Sequence, residues 1–329
     1  MTEASILTTA KAQRAEALEA VAQKVADSAA RLPQIEEGTP EQIRAFRKER
    51  GNPFAPAARK MRAVEDIMVP IERGEVRMRH YIPKTIADEA AAANAPCCLF
   101  FHGGGYVLGD VDEYDTVTQH IAANSGCHVL SVDYELAPAN KIKQIHRDGF
   151  DVYRWVLENH ASLGIDPERL AVAGDSAGGN LTIAVTQACK AHGIAAPKLQ
   201  VLIYPSVDLG MGFASVNEFA DGYFLTKAGM SWFRGHYLES PQQAADAGLA
   251  FLSHDLTDLP TALVITAGFD PLRDEGQAYV DRLEEFGVEV EHVCYPDQIH
   301  AFISFAGGIK AGDDALQRIG GAIKQALSS

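Results

Sequence analysis

Leu170-Ala171-Val172-Ala173-Gly174-Asp175-Ser176-Ala177-Gly178-Gly179 is the stretch that decides the fold. Four consecutive apolar residues read as a buried strand. A turn of small residues follows, and residues 181–192 then read as a helix. Ser176 stands in the turn, inside a Gly-x-Ser-x-Gly frame. A nucleophile on a strained strand-to-helix turn needs neighbours without bulk, and Gly174 and Gly178 supply them. The helix beyond Ser176 aims free amides and the positive end of its dipole at the same point. The bland alternative is a plain turn rich in Gly and Ser.

A second stretch points the same way. Cys97-Cys98-Leu99-Phe100-Phe101 predicts a central parallel strand that runs straight into His102-Gly103-Gly104-Gly105-Tyr106. Three glycines in a row weaken any fold that has no use for them. Their physical use is to let backbone amides approach a ligand with no side chain between. Gly103 and Gly104 are expected to offer amides to an oxyanion, together with Ala177 just after the serine. The run lacks the pattern of a phosphate-binding loop, and no dinucleotide fingerprint follows a strand.

Composition narrows the classes. A length of 329 residues fits one large α/β domain with an accessory part. A formal charge of -15 without a basic patch argues against nucleic acid as a partner. No stretch is long and apolar enough to predict a membrane span, and the N-terminus does not read as a signal peptide, so a cytoplasmic protein is expected. Cys97, Cys98, Cys127, Cys189 and Cys294 sit in apolar contexts without a Cys-x-x-Cys motif, which predicts buried free thiols. Cys97 and Cys98 should face opposite sides of their strand. No His-Glu-x-x-His motif or Cys/His ligand cluster is present, so no metal is expected.

Along the chain, residues 9–31 are Ala-rich and predict a helix carrying Leu18, Val21, Val25 and Leu32 at helical spacing. Thr39-Pro40-Glu41-Gln42 predicts a second helix start, with Thr39 as N-cap and Gln42 reaching back to it. These fifty residues read as a helical preface outside the sheet. Residues 64–70 and 76–82 predict two antiparallel edge strands, and residues 86–94 a surface loop or short helix. From residue 97 onward, strands at 97–101, 129–133, 170–173, 199–204, 262–267 and 288–295 alternate with helices. The last helix is expected to be capped by Asp313 or Asp314. Between residues 208 and 259 the alternation is lost, and a helix over 225–238 carries Met230, Trp232, Phe233 and Tyr237. That insertion reads as one wall of an apolar pocket. The order predicts an open, mostly parallel sheet with helices on both faces, and a site beyond the carboxyl ends of its strands.

Ser176, the glycine run, Asp270 and His300 all follow strands and should converge there. A serine hydroxyl needs a base, and the base needs a carboxylate to hold its tautomer. His300 is the best-placed base and His102 the runner-up, better used to brace the glycine loop. Asp270 is the best-placed carboxylate; Asp274 is its rival, better used as a helix cap, and Asp297 lies too near His300 in the chain. Asp133 ends a strand and reads as structural more often than catalytic. The chain order Ser176, Asp270, His300 is that of the α/β-hydrolases.

With His102-Gly103-Gly104-Gly105, Asp133-Tyr134 with Leu136-Ala137-Pro138, Gly174-Asp175-Ser176-Ala177-Gly178-Gly179, Asp270-Pro271-Leu272-Arg273-Asp274-Glu275-Gly276, and His300 with Phe302, the chain resembles the bacterial hormone-sensitive-lipase-like family of α/β-hydrolase esterases. The resemblance implies an α/β-hydrolase fold with a helical cap: a cap from residues 1–58 and 208–259 on a catalytic core of 59–207 and 260–329. It implies Ser176 as nucleophile, Asp270 and His300 as its partners, and the amides of Gly103, Gly104 and Ala177 as oxyanion hole. His102, Gly105, Asp175 and Asp133 are read as supporting residues, and Tyr106, Phe213, Met230, Phe233 and Phe302 as pocket lining. The implied reaction is hydrolysis of small esters with short to medium acyl chains through an acyl-enzyme, with no cofactor. A homodimer rests on the resemblance alone. An amidase or lactonase on the same triad is the nearest alternative, and a non-catalytic ligand-binding protein the alternative from another class. Asp297 and Ala301 stand where the family often has glycines around the histidine.

Overall fold

The computed structural model describes residues 7–8, 13–86 and 94–328. Nine strands form one sheet: β1 (Leu7–Thr8), β2 (Met61–Ile71), β3 (Gly74–Pro83), β4 (Ala95–Phe101), β5 (His128–Asp133), β6 (Ile165–Asp175), β7 (Leu199–Ile203), β8 (Thr261–Phe269) and β9 (Val290–Ile299). Their order across the sheet is β1-β9-β8-β7-β6-β4-β5-β3-β2. Pairing is parallel from β5 through β4, β6, β7 and β8 to β9, and antiparallel where β1 joins β9 and where β2, β3 and β5 meet. This is the α/β-hydrolase architecture, with helices on both faces.

Strand alternation divides the core. Cys97, Leu99 and Phe101 of β4 join one apolar cluster, and Cys98 and Phe100 join the other. All five cysteines are buried and free, and the neighbours Cys97 and Cys98 take opposite faces as expected. On the first face lie α4 (Ile142–Glu158), α5 (Ala177–His192) and α8 (Arg273–Glu285), which present Ile145, Tyr153, Leu181, Val185, Tyr279 and Leu283. On the second lie α1 (Ala20–Ala30), α3 (Asp115–Ser125) and α9 (Lys310–Ala326), with Val25, Ile121, Leu316 and Ile319. Between β7 and β8 stand the short α6 (Ala214–Glu218) and α7 (Lys227–Tyr237).

The N-terminal segment differs from its sequence reading. Leu7 and Thr8 pair with Cys294 and Val293, so this segment adds an edge strand to the sheet instead of standing outside it. Helix α1 is shorter than expected and begins after Glu19, whose carboxylate accepts from the amides of Val21 (2.9 Å) and Ala22 (3.0 Å). Just before it, the Ala15 and Glu19 amides donate to the carbonyls of Pro296 and Asp297, which holds the chain off a helical path. The expected helix over residues 9–12 lies outside the described residues, as does most of the loop expected over 86–94. Helix α2 (Pro40–Arg50) has the cap read from its sequence: Thr39 accepts from Gln42 N, and the Gln42 side chain accepts from Thr39 N.

Other boundaries moved for local reasons. Strand β6 starts at Ile165, ahead of the expected 170–173, because Ala95 pairs with Ile165. Strand β9 runs on to Ile299, where Phe269 pairs with it. The last helix begins at Lys310, so Asp313 and Asp314 lie inside it and do not cap it; Asp314 instead accepts from the Tyr295 hydroxyl at 2.8 Å. Among the described residues no helix is long and apolar enough to cross a membrane.

Candidate active site

Four strand-end loops of the parallel sheet converge at Ser176. The residue occupies φ 56°, ψ −116°, between the last residue of β6 and the first of α5. A non-glycine residue at such a φ persists only where its surroundings over-determine it. Here they do: Ser176 N donates to Ile203 O at 2.9 Å, and Ser176 O accepts from Asn180 N and Ser206 N, each at 3.1 Å. The small neighbours are required by contact. A Cβ at Gly174 would lie 2.2 Å from Gly178 O, and one at Gly178 would lie 2.0 Å from Phe101 O.

His300 follows β9 and Asp270 follows β8, and both are buried. The Asp270 carboxylate accepts from His300 Nδ1 at 2.7 Å. A carboxylate only accepts, so the ring proton sits on Nδ1 and Nε2 faces the serine, 2.9 Å from its Oγ. The second oxygen of Asp270 accepts from Leu272 N at 2.8 Å, which fixes the rotamer of the carboxylate. The Tyr204 ring packs against the imidazole with centroids 4.8 Å apart. Ala301, next in the chain, holds φ 64°. That left-handed conformation suits glycine, the residue the resemblance leads one to expect beside the histidine.

Asp274 and Asp297 stay away from this chain of bonds. Asp274 lies inside the first turn of α8, not at its cap. It accepts from Ser215 N (2.9 Å) and from Arg273 Nε (2.8 Å), tying α6 to α8. The runner-up base, His102, braces the glycine loop: Nδ1 donates to Gly103 O at 2.8 Å, and the ring stacks on Tyr134 at 4.3 Å. Burial lowers its pKa. Asp133 is engaged by Arg77 at 3.1 Å, on the antiparallel side of the sheet.

The glycine loop corrects one expectation. Gly103 N, expected to face an oxyanion, donates to Asp175 Oδ1 at 2.7 Å, and Tyr114 donates to the other oxygen at 3.0 Å. Burial pushes the Asp175 pKa up to about 6, against the lowering effect of those two bonds. Among the described residues the amides of Gly104 and Gly105 meet no acceptor, and Ala177 is the first residue of α5, where an amide has no intrahelical partner. Gly104 and Gly105 take φ 119° and 62°, so the chain turns sharply while it carries those amides.

The residues expected to line a pocket separate into three groups. Phe233 approaches the loop: its ring atoms lie 2.4–2.7 Å from where a Gly105 Cβ would be. Met230 packs against Val216 of the insertion and Leu272 at the start of α8, and half-buried Phe213 precedes α6. Tyr106 and Phe302 do not line a pocket. Phe302 is fully buried between Tyr204 and Tyr295, behind the imidazole. Tyr106 is buried with its hydroxyl on Asn180. Sequence reasoning missed Asn180, Tyr114 and Glu275. Asn180 carried a usable signal, an amide one turn after the serine among small and apolar residues. Glu275 accepts from Val207 N and Asp208 N with one oxygen, and burial pushes its pKa well above the usual carboxylate range.

The N-terminal segment and the insertion meet near the site. Trp232 Nε1 donates to Gly38 O at 3.2 Å, and Ile35 packs against Gly229. The stripe of α1 packs away from α7: Val25 is in the cluster that holds Phe302 and Tyr295. Arg44 of α2 donates to Val107 O (2.8 Å) and Ala137 O (2.6 Å), joining the segment to the glycine loop.

Residues 98–304 match a family model described as alpha/beta hydrolase fold. The chain is 37% identical over 242 residues to an ethyl acetate hydrolase of Pseudomonas putida, covering 73% of this chain and 76% of that one. It is 34% identical over 308 residues to the esterase LipI of Mycobacterium tuberculosis, covering 92% and 93%. Among solved structures, an ester hydrolase from the metagenome of Lake Arreo, in complex with a bipyridine phosphonate derivative, superposes with a TM-score of 0.90 at 34% identity, covering 95% of this chain and all of that one. A hyperthermophilic esterase from the archaeon Pyrobaculum calidifontis gives 0.87 at 35% identity, covering 95% and 100%. These findings correct the family label drawn from the motifs: the match is to this esterase and lipase family, not to the hormone-sensitive-lipase-like one.

Proposed function

The chain belongs to the alpha/beta hydrolase fold family and is a serine ester hydrolase, and we propose that Ser176 is its nucleophile, His300 its general base and acid, and Asp270 the carboxylate that holds the imidazole. The observation that carries this reading is the unbroken line from Asp270 Oδ2 through His300 to Ser176 Oγ, with bonds of 2.7 and 2.9 Å. Ser176 Oγ attacks the ester carbonyl as His300 Nε2 takes its proton. The same nitrogen then returns the proton to the leaving alkoxide, and the acyl group stays on Ser176. Water, deprotonated by His300, then attacks the acyl carbon; the bond to Ser176 Oγ breaks, His300 returns the proton to that oxygen, and the acid leaves. In both tetrahedral stages the negative oxygen needs donors fixed in advance. The amides of Gly104, Gly105 and Ala177 fill that role, since the Gly103 amide is bound to Asp175. The N-terminus of α5 adds its positive end.

The cap in this reading is built from the N-terminal helical segment and the 208–259 insertion, which meet through Trp232 and Gly38 and contact the glycine loop through Arg44 and Phe233. Phe233 narrows the space beside Gly105, which favours short to medium acyl groups; the similarity to an ethyl acetate hydrolase points the same way.

A panel of 4-nitrophenyl esters from acetate to laurate, with an anilide and a lactone included, tests substrate class. The highest kcat/KM is expected at or below hexanoate, and a higher value on the anilide or the lactone would overturn the ester reading. Ser176→Ala should fold normally and lose about 10⁴-fold or more in kcat. Retention of more than a hundredth of the rate would remove Ser176 from its role.

A further inference from the structure

The loop from Gly103 to Gly109 carries the proposed oxyanion amides, yet its own backbone prefers no single shape. Gly104, Gly105 and Gly109 all take positive φ, and so does Tyr106, a bulky residue at φ 63°. Holding a tyrosine there costs about 1–3 kcal/mol, so external contacts must impose the conformation. The Tyr106 ring is buried, in edge contact with Tyr134 and Tyr237. Its hydroxyl donates to Asn180 Oδ1 at 2.6 Å.

Asn180 is fully buried and uses its side chain in three directions. Oδ1 accepts from Tyr106 and from His146 Nε2 (3.0 Å), and Nδ2 donates to Ser206 O at 2.8 Å. Ser206 N in turn donates to Ser176 O, as does the Asn180 amide. One carboxamide therefore joins the glycine loop, the first turn of the nucleophile helix and the loop after β7. His146 completes the cluster from α4 and stacks on Phe251 of the insertion at 5.8 Å. Burial lowers its pKa to about 4, so it is a neutral donor at pH 7.

We propose that Tyr106 and Asn180 form a positioning pair, which sets the distance between the Gly104 and Gly105 amides and Ser176 Oγ. The proposal rests on the reading of Ser176 as nucleophile. Neither side chain touches the reacting atoms. Their effect is on where the donors stand when the oxyanion forms, and displacements of about 1 Å there cost up to about 10²-fold in rate. Binding of the ground-state ester, which makes little use of those donors, should be spared.

Tyr106→Phe removes the hydroxyl and keeps the ring. Its kcat should fall by roughly 10- to 100-fold, with KM within about two-fold. The Ki of a trifluoromethyl ketone, which forms an oxyanion-bearing adduct on the serine, should rise by the same factor as kcat/KM falls. Asn180→Ala breaks the same bond from the other side, and the double variant should be little worse than the poorer single one. Either single variant carries the test if the other fails to fold. A Tyr106→Phe or Asn180→Ala protein with a lowered Tm and wild-type kcat has lost only packing, and that result overturns the proposal. So does a ketone Ki that stays constant while kcat falls. Phosphonate labelling of each variant separates the two levels. Label on Ser176 keeps the nucleophile reading whatever happens to kcat, and label on another residue removes that reading and this proposal with it.

Discussion

At Ser176 two strained loops face each other, and they are held by different means. The serine turn is fixed by backbone: β6 enters it, α5 leaves it, and main-chain bonds to Ile203, Asn180 and Ser206 hold Ser176 at φ 56°. What it asks of the sequence is small neighbours at Gly174 and Gly178. The glycine loop leaves β4 and meets no regular element until α3 begins at Asp115. It is fixed mainly by side chains from elsewhere: Asp175 on the Gly103 amide, Asn180 on the Tyr106 hydroxyl and Arg44 on the Val107 carbonyl. A turn between two regular elements inherits its geometry from them. A loop without such flanks needs buried polar anchors, and each anchor is a separate point of failure.

The sharpest way to break this contrast is a methyl group in each loop. Gly178→Ala drives a Cβ to within 2.0 Å of the Phe101 carbonyl, a backbone atom that cannot step aside. The expected loss of stability exceeds about 4 kcal/mol, with little soluble protein recovered. Gly105→Ala instead meets the Phe233 ring, which can rotate away. Beyond the cost of an alanine at positive φ, about 1–2 kcal/mol, its effect should be a several-fold rise in KM. Adding Phe233→Ala should reverse that rise. Urea denaturation and acyl-ester kinetics on the three proteins decide it; equal stability of Gly178→Ala and Gly105→Ala would erase the distinction.

Asp175 belongs to both loops, and pH sharpens its part. Its pKa in the folded protein is raised to about 6, above an unfolded value near 4, so the native state holds this proton the more tightly. The stability it contributes is present in full below about pH 4 and is lost as pH rises through about 6. Asp175→Asn removes that titration while its carbonyl oxygen still accepts from Gly103. The stability of the variant relative to the parent should therefore climb between pH 4.5 and 7, by of order 2 kcal/mol, and stay level above. Urea midpoints at pH 4.5, 5.5, 7 and 8 would show it. A flat difference would mean that Asp175 is not the group that titrates.

The smallest effect is expected next to His300. Ala301→Gly relieves an alanine at φ 64° and adds freedom to the unfolded chain. The balance of about 1–2 kcal/mol against about 0.4–1 favours the variant by roughly 0.5 kcal/mol. Its kcat/KM should stay within two-fold of the parent, because the bonds from His300 to Asp270 and Ser176 do not involve the Ala301 side chain. A destabilised variant would show that neighbouring packing favours the methyl group.

Local pattern made the sheet, its two-faced core and the loops that meet at its carboxyl edge legible from sequence. Apolar runs such as residues 97–101 and 170–173 are dictated by burial on both faces of a strand, and Ser176, Asp270 and His300 each follow one such strand. The Thr39 cap was equally readable, because all its atoms lie within four residues. What the pattern left open depends on partners far along the chain. Gly103 and Gly104 look alike in sequence, and only the approach of Asp175, 72 positions away, takes up one amide. Tyr106 and Phe302 follow functional motifs, yet the tertiary packing of Asn180 and of Tyr204 and Tyr295 draws them into the interior. Leu7 and Thr8 show no strand pattern of their own and become a strand because β9 offers an unpaired edge. Periodicity and caps are local, so the sequence alone determines them. Which amide stays free, and which aromatic ring is buried, is settled only when distant segments compete for the same acceptors and the same space.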